Sequence, residues 1–496
     1  MTLYLSILLF APLAFGVLGL LAPPRAAARV ALAGTLLTAA YAIAFLVDFD
    51  RSSGALQYVT DETWIAELGI SYKLGLDGLN LFLVLLAAVL WFACTLWASM
   101  RDYDKPRLFF FHLALAETAV LGALLAQDLA LFVVFFDLML VPFFFLTGIW
   151  GGAKRVQATI KLVIYTLVGS LLMLTAAVAT GVLAATGPLD LSFAFSDLAQ
   201  RPLATTSQYW IFLFFAAAFL VKMPAFPLHG WMPDGYRNMP LPVLALFSAV
   251  LSKVAAYGFL RICLPLFPDA TSHFQTLMLL VALASILYGS AMAFTTTETR
   301  LILGYSSVAQ LGFITLGIFA LNPEGAQGAI LQAFNHGLVV APAFFIVALL
   351  AERAGGSEDI RGMGGIAMRA PALATMFLIV TFATLAMPGS SNFVGEFLIL
   401  LGVFKSQMAI AIVASTGVVL ASVYALRLFI ATMHNRTGPA VESRELSLRD
   451  GLVVVPLVLA IIAIALYPQF ALERSEKTVA GDAAPSALAT QPGSGP

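Results

Sequence analysis

Runs of about twenty apolar residues recur along this sequence, and no other feature limits its fold as strongly. A run of that length crosses a hydrocarbon layer of about 30 Å as a helix rising about 1.5 Å per residue. Lipid offers the backbone no hydrogen bonds, so a spanning segment closes its own as a helix or pairs them around a barrel. Barrel strands alternate apolar and polar residues over about ten positions, whereas these runs are continuous. The expected fold class is therefore an all-α polytopic membrane protein, and the composition agrees: of 496 residues, 61% are hydrophobic and 11% charged. A net charge of −1 gives no sign of nucleic-acid binding. Cys94 and Cys263 are the only cysteines and lie far apart, too few for a disulfide framework or an iron–sulfur cluster. Redox cofactors therefore belong to other chains, and no metal site is expected in this one. No basic segment or small-residue cleavage site precedes Pro23-Pro24, so the first run reads as a retained helix.

Division at charge clusters and Pro/Gly breaks predicts fourteen spans: 2–21, 29–47, 77–100, 108–126, 129–149, 158–184, 208–229, 240–262, 273–294, 300–321, 326–350, 371–402, 408–433 and 451–469. An even number puts both termini on one side. Sixteen of the 26 lysines and arginines fall in loops on the opposite side, seven on the terminal side (Arg261 among them) and three within spans. The excess of positive charge marks the cytoplasmic side, so both termini should lie outside. The outside loop from Asp48 to Leu76 carries Asp61, Glu62 and Glu67 and reads as a solvated lid. After Glu473 the chain is rich in Ala, Ser, Gly and Pro and reads as disordered.

Within this pattern the stretch Phe219-Leu-Val-Lys-Met-Pro-Ala-Phe-Pro-Leu-His-Gly-Trp-Met-Pro-Asp234 is anomalous. It places Lys222 deep in the seventh span, where a cation is expensive, and Pro224 beside it, which leaves carbonyls without helical partners. A hydrated or protein-lined interior satisfies both; the plainer reading is a lysine that snorkels to the interface. Met387-Pro388-Gly389 interrupts the twelfth span in the same way. Five spans separate the breaks, so helices seven and twelve run in opposite directions, as in an inverted repeat of helices four to eight and nine to thirteen. Two unrelated kinks are the simpler alternative, because Pro and Gly are common in membrane helices.

Glu117, Asp137, Lys222, Lys253, His336 and Glu396 lie within spans four, five, seven, eight, eleven and twelve. Amines and carboxylates in a low-dielectric interior exchange protons in response to small changes in distance, and histidine titrates near neutrality unaided. Such a set suits a proton relay across both halves, completed by water and by hydroxyls such as Tyr305, Ser306 and Ser307. Each member also has a packing alternative: Glu117 as a partner of a neighbouring helix, His336 as a donor to a carbonyl across helices. Arg427, near the inside end of its helix, reads as a snorkelling side chain.

These residues belong to longer motifs. The Phe219–Asp234 stretch, Leu260-Arg-Ile-Cys-Leu-Pro-Leu-Phe-Pro268, Gly304-Tyr-Ser-Ser-Val308, Asn335-His-Gly337 and Phe393-Val-Gly-Glu-Phe397 resemble the antiporter-like membrane subunits of respiratory complex I, the proton-translocating NADH:quinone oxidoreductase. Tyr72-Lys-Leu-Gly-Leu-Asp-Gly78 and Phe136-Asp-Leu-Met-Leu-Val-Pro142 through Gly148-Ile-Trp-Gly-Gly152 extend the likeness over about residues 70–430. Glu396 is similar to the subunit M branch, since the L and N branches carry lysine there, and the chain lacks the long lateral helix of subunit L.

The resemblance implies fourteen helices in the bacterial inner membrane and two inverted five-helix repeats with discontinuous helices seven and twelve. The implied domains are 1–107 (helices one to three and the acidic outside loop), 108–262 and 273–433 (the repeats), and 434–496 (the last helix and a disordered tail). It further implies protons moving through Glu117, Asp137, Lys222, Lys253, His336 and Glu396, driven by quinone reduction elsewhere in the complex. The partners would be the other membrane subunits, including the sister antiporter-like ones, and the lipid bilayer; NADH, FMN, iron–sulfur clusters and quinone would be bound by partner subunits. A subunit of a cation/proton antiporter or membrane-bound hydrogenase on the same fold, and a purely structural subunit, are the competing readings. Three departures stand out. Asp137 replaces the usual glutamate partner of the broken-helix lysine, Gln310 replaces the histidine usual after Ser-Ser-Val, and Gly235-Tyr-Arg-Asn-Met-Pro-Leu-Pro242 differs from the usual approach to helix eight.

Overall fold

The computed structural model describes residues 3–187 and 190–482. Among the described residues twelve helical segments are long and apolar enough to cross a membrane. Several begin earlier than the apolar run predicts because proline occupies the first turn, where its missing N–H costs nothing: Pro24–Asp48, Pro106–Leu125 and Pro323–Arg353.

The expected seventh and twelfth spans are not among the twelve, and both are broken. Thr205–Lys222 stops at Lys222; the chain then turns, forms a short 3₁₀ segment at Leu228–Trp231 and resumes as Met232–Asn238. The twelfth divides into Pro371–Thr384 and Ser391–Ser406 around Met387-Pro388-Gly389, with Gly389 in the left-handed region at φ 91°. A milder interruption falls in the fifth span, where Leu129–Leu138 gives way at Met139 to Leu140–Trp150, one turn before Pro142 is fully inside the second piece. The eighth span is continuous from Leu241 to Leu266 but twice widens into π turns, at Phe247–Leu251 and Phe259–Cys263. Such turns concentrate at functional sites, because they re-aim side chains and loosen the backbone ladder.

Burial separates the helices into two kinds. The apolar windows of Leu241–Leu266 and Thr299–Ile318 are wholly buried and that of Pro323–Arg353 is 94% buried, against 33% for Tyr4–Leu21 and Met408–Met433. The buried helices carry Lys253, Gln310 and His336, and the peripheral ones turn apolar surface outward. Pro323–Arg353 and Ser391–Ser406 approach so closely that a Cβ at Gly328 would stand 2.7 Å from the Ile399 nitrogen. That contact leaves room for no side chain.

Two expectations about the terminal face need correction. The Asp48–Leu76 loop, expected only as a solvated lid, folds into an antiparallel hairpin of Gln57–Ile65 and Ile70–Leu76, with Asp61 paired to Lys73 at 2.9 Å. Its acidic residues are exposed, as expected, while Thr60 and the Leu74–Leu76 end are buried. The chain beyond Glu473 is not disordered through residue 482, because Gln469–Asp482 forms a helix. Small and β-branched residues give that helix a close-packing face: Thr478 accepts from the Gly78 N–H at 3.1 Å, and Glu473 pairs with Arg51 at 2.6 Å. The rest of the expected disordered tail lies outside the described residues. The hairpin also meets the first helix, through Tyr72 and Ser6 at 2.9 Å, so both described ends of the chain meet on one face. The opposite face carries partly exposed ion pairs, Lys161–Asp234, Arg237–Glu298 and Arg300–Glu358, each worth little alone.

Candidate functional site

Lys222 ends its helix where Pro224 removes the next turn's backbone donor, and its ammonium is turned into the protein, 4% of the residue being exposed. It does not snorkel. Its Nζ donates to the Phe136 carbonyl at 3.1 Å and lies 4.1 Å over the Phe136 ring. The expected Asp137–Lys222 ion pair is absent at contact distance, although the two groups are within electrostatic reach of each other. The Asp137 carboxylate instead lies beside Ser170, and its Oδ1 is enclosed without a hydrogen-bond partner. The shorter aspartate side chain accounts for the gap: the lysine meets the backbone next to Asp137 rather than its carboxylate. Glu117 is fully buried and both of its oxygens lack protein partners. The structure joins it to no charged side chain; its helix packs directly on the Ser252–Gly258 segment.

Lys253 occupies the centre. The π turn at Phe247–Leu251 exposes the Ser248 carbonyl, which accepts from Lys253 Nζ at 2.7 Å, and Ser252 Oγ accepts a second bond at 3.2 Å. Ser248 also meets Ser307 at 3.2 Å, one of the hydroxyls expected to link the two halves. His336 lies within electrostatic reach of Lys253, with Nδ1 buried and unpartnered. Gly337 makes this approach possible, since a Cβ there would stand 2.6 Å from the Ala249 carbonyl inside the π turn.

In the second half Glu396 follows the Pro388-Gly389 break and is buried. Gln332 Nε2 donates to Glu396 Oε1 at 3.3 Å and to Gln310 Oε1 at 2.7 Å, while Glu396 Oε2 has no protein partner. Ser306 donates to the Tyr424 hydroxyl at 3.0 Å. Gln310, the departure from the family pattern, is thus held between Gln332 and the Glu396–Tyr424 group. Glu117, Asp137, His336 and Glu396 each keep a buried polar atom without a protein partner, as happens where water or a shared proton completes the bonds.

Three groups escaped sequence reasoning. Gln332 was legible as a polar residue one turn before His336 on the same helical face, with Asn335 beside it. Tyr424 lay in an otherwise ordinary apolar run. Arg261, counted with the terminal-side loops, instead lies within the eighth span, buried and paired with Asp77, and so joins two motifs read separately. Arg427 also does more than snorkel, since it donates to the Thr296 carbonyl at 2.9 Å. No group of three or more His, Cys, Asp or Glu able to hold a metal occurs among the described residues.

Fold and site together define a polytopic helical membrane protein whose ionisable groups are gathered in its interior around two broken helices. The chain belongs to the NADH:quinone oxidoreductase/Mrp antiporter membrane family, whose pattern matches residues 126–421. It is 34% identical over 495 residues to NADH-quinone oxidoreductase subunit M of Rhodobacter capsulatus, covering 96% of this chain and 95% of the relative. It is 35% identical over 443 residues to subunit M of Escherichia coli K12, covering 86% of each. Its structure is similar to a chain of respiratory complex I from Thermus thermophilus with bound NADH, at 31% identity and a TM-score of 0.87, covering 96% of this chain and 99% of that one. A chain of the Mrp complex from Dietzia sp. DQ12-45-1b shares the fold at 23% identity and a TM-score of 0.85, each covered to 98%.

Proposed function

We propose that this chain is a proton-translocating membrane subunit of NADH:quinone oxidoreductase, driven by quinone reduction in partner subunits and acting alongside the sister antiporter-like subunits. The observation that carries this reading is that six ionisable residues are held inside the protein around the two broken helices, four of them, Glu117, Asp137, His336 and Glu396, with a buried polar atom that no protein group satisfies. The oxygens and nitrogens available there suit protons and water. NADH, FMN, iron–sulfur clusters and quinone belong to the partner subunits in this reading.

The two broken segments complete fourteen crossings when added to the twelve continuous ones, and the matching breaks at Lys222 and before Glu396 support two inverted five-helix repeats, at 108–262 and 273–433, flanked by 1–107 and 434–496. The positive-charge excess on the opposite face supports a reading with both termini on the outer side of the bacterial inner membrane. Asp137 sets the field at Lys222, whose proton moves by way of Lys253 and His336 to Glu396, with Ser248, Ser307, Gln310 and Gln332 bridging the halves. The similarity to the Mrp chain concerns the fold alone and does not shift this reading toward a free-standing antiporter. The test is Lys222→Met in the assembled, reconstituted complex: NADH oxidation with uncoupler should persist while coupled proton transport falls. Wild-type transport would refute the reading.

A further inference from the structure

On the terminal face, a cavity of about 260 Å³ is lined by three connections and the end of the eighth span, including Leu56, Asp77, Gln127, Ser196, Arg261 and Leu266. Its volume admits several waters. By contrast, the cavity beside Ser306 and Tyr424 in the second half is about 10 Å³, the threshold for one. The floor of the larger cavity is polar and deeply buried: Asp77 is 1% exposed, Gln127 2% and Arg261 7%. Arg261 Nη2 donates to Asp77 Oδ2, and its Nε donates to the Tyr257 hydroxyl at 3.2 Å. Gln127 lies beside the same hydroxyl, and Asp77 is within electrostatic reach of it.

Lys253, Tyr257 and Arg261 are spaced by four residues, so they lie on one face of the eighth span, about 6 Å of rise apart. The row runs from the central lysine, which His336 faces, to the cavity floor, which Asp77 and Arg261 face. We propose that Tyr257 and the Arg261–Asp77 pair form a second branch at Lys253, an outward proton exit into the terminal-face cavity beside the route through His336 to Glu396. This inference rests on the proton-transport reading above. A proton leaving the Lys253 ammonium reaches Tyr257 Oη through one water spanning the helical turn. The hydroxyl hands its own proton to the Asp77 carboxylate or to cavity water, and so ends as it began. Arg261 keeps its protons throughout and is a positioning residue that holds Asp77 and Tyr257 together. When the pair is closed Asp77 is neutralised by Arg261; when it parts, the carboxylate is free to take the proton.

The test uses the whole complex in proteoliposomes. Tyr257→Phe keeps the ring and removes the hydroxyl; Asp77→Asn keeps the shape and removes the charge. A third variant, Ala199→Cys, places a thiol on the exposed cavity wall for a bulky, membrane-impermeant thiol reagent. Tyr257→Phe and labelled Ala199→Cys should each lower coupled proton transport by roughly threefold or more while uncoupled NADH oxidation persists, and Tyr257→His should recover part of it. If a variant fails to assemble, the labelled Ala199→Cys complex decides. Full transport in that complex, alongside loss in Lys222→Met, would overturn the exit and leave the transport reading standing. Full transport in Lys222→Met as well would remove both.

Discussion

The two broken helices solve one problem with opposite charges. At the first break a cation, Lys222, is held by a backbone carbonyl and an aromatic face, with its carboxylate partner out of contact. At the second an anion, Glu396, is held by an amide network, Gln332 bonding both the carboxylate and Gln310. A lysine with one fixed acceptor responds mainly to the field at its site, which a distant aspartate can change. A carboxylate bonded to a neutral amide keeps its position whichever protonation state it adopts. In the proposed reading the first break is the one that is switched and the second the one that receives.

The largest effect should come from Lys222→Met, because it removes the only ammonium at the first break and leaves Asp137 uncompensated in the interior. Coupled turnover of the reconstituted complex should fall by roughly tenfold or more, with assembly retained on native gels. Glu396→Gln should follow, with a drop of roughly fivefold, while Glu396→Asp retains more because a charge survives. If the glutamine variant pumped normally, the second break would be a packing device and the contrast would collapse. Asp137→Asn against Asp137→Glu sharpens the first half. The asparagine should slow coupled turnover by roughly threefold; the glutamate, about 1.5 Å longer, should reach Lys222 and preserve it, since a pair at 4 Å gains about 4 kcal/mol at an effective dielectric near 20. The smallest effect is expected from Gln310→His, which restores the residue usual in the family: turnover should change by less than about twofold if the amide merely bridges. Gln332→Leu, which strands both Gln310 and Glu396, should cost more than Gln310→His in the same assay.

The breaks were readable because proline beside a buried charge has few physical outcomes in lipid. Lys222, Lys253, His336 and Glu396 stood out for the same reason, as ionisable residues in apolar runs. The rest depended on contacts between distant segments. Nothing near Arg261 in the sequence announces that Asp77 waits 184 residues earlier, so an arginine near the end of a span was counted with the loops. The hairpin was hidden because acidic residues dominate its solvent side, and the strand pairing lies in the backbone. The Gln469–Asp482 helix was hidden because its partners, Gly54 and Gly78, come from the opposite end of the chain. The π turn at Phe247–Leu251, which aims Lys253 at Ser248, left no mark in the apolar periodicity.

The proposed path runs through Lys253 between the two halves, so the most direct measurement is the number of protons moved per NADH oxidised by the reconstituted complex carrying Lys253→Met. The account predicts that NADH oxidation with uncoupler persists in a fully assembled complex while the proton yield falls well below wild type. A wild-type proton yield at full assembly would contradict it.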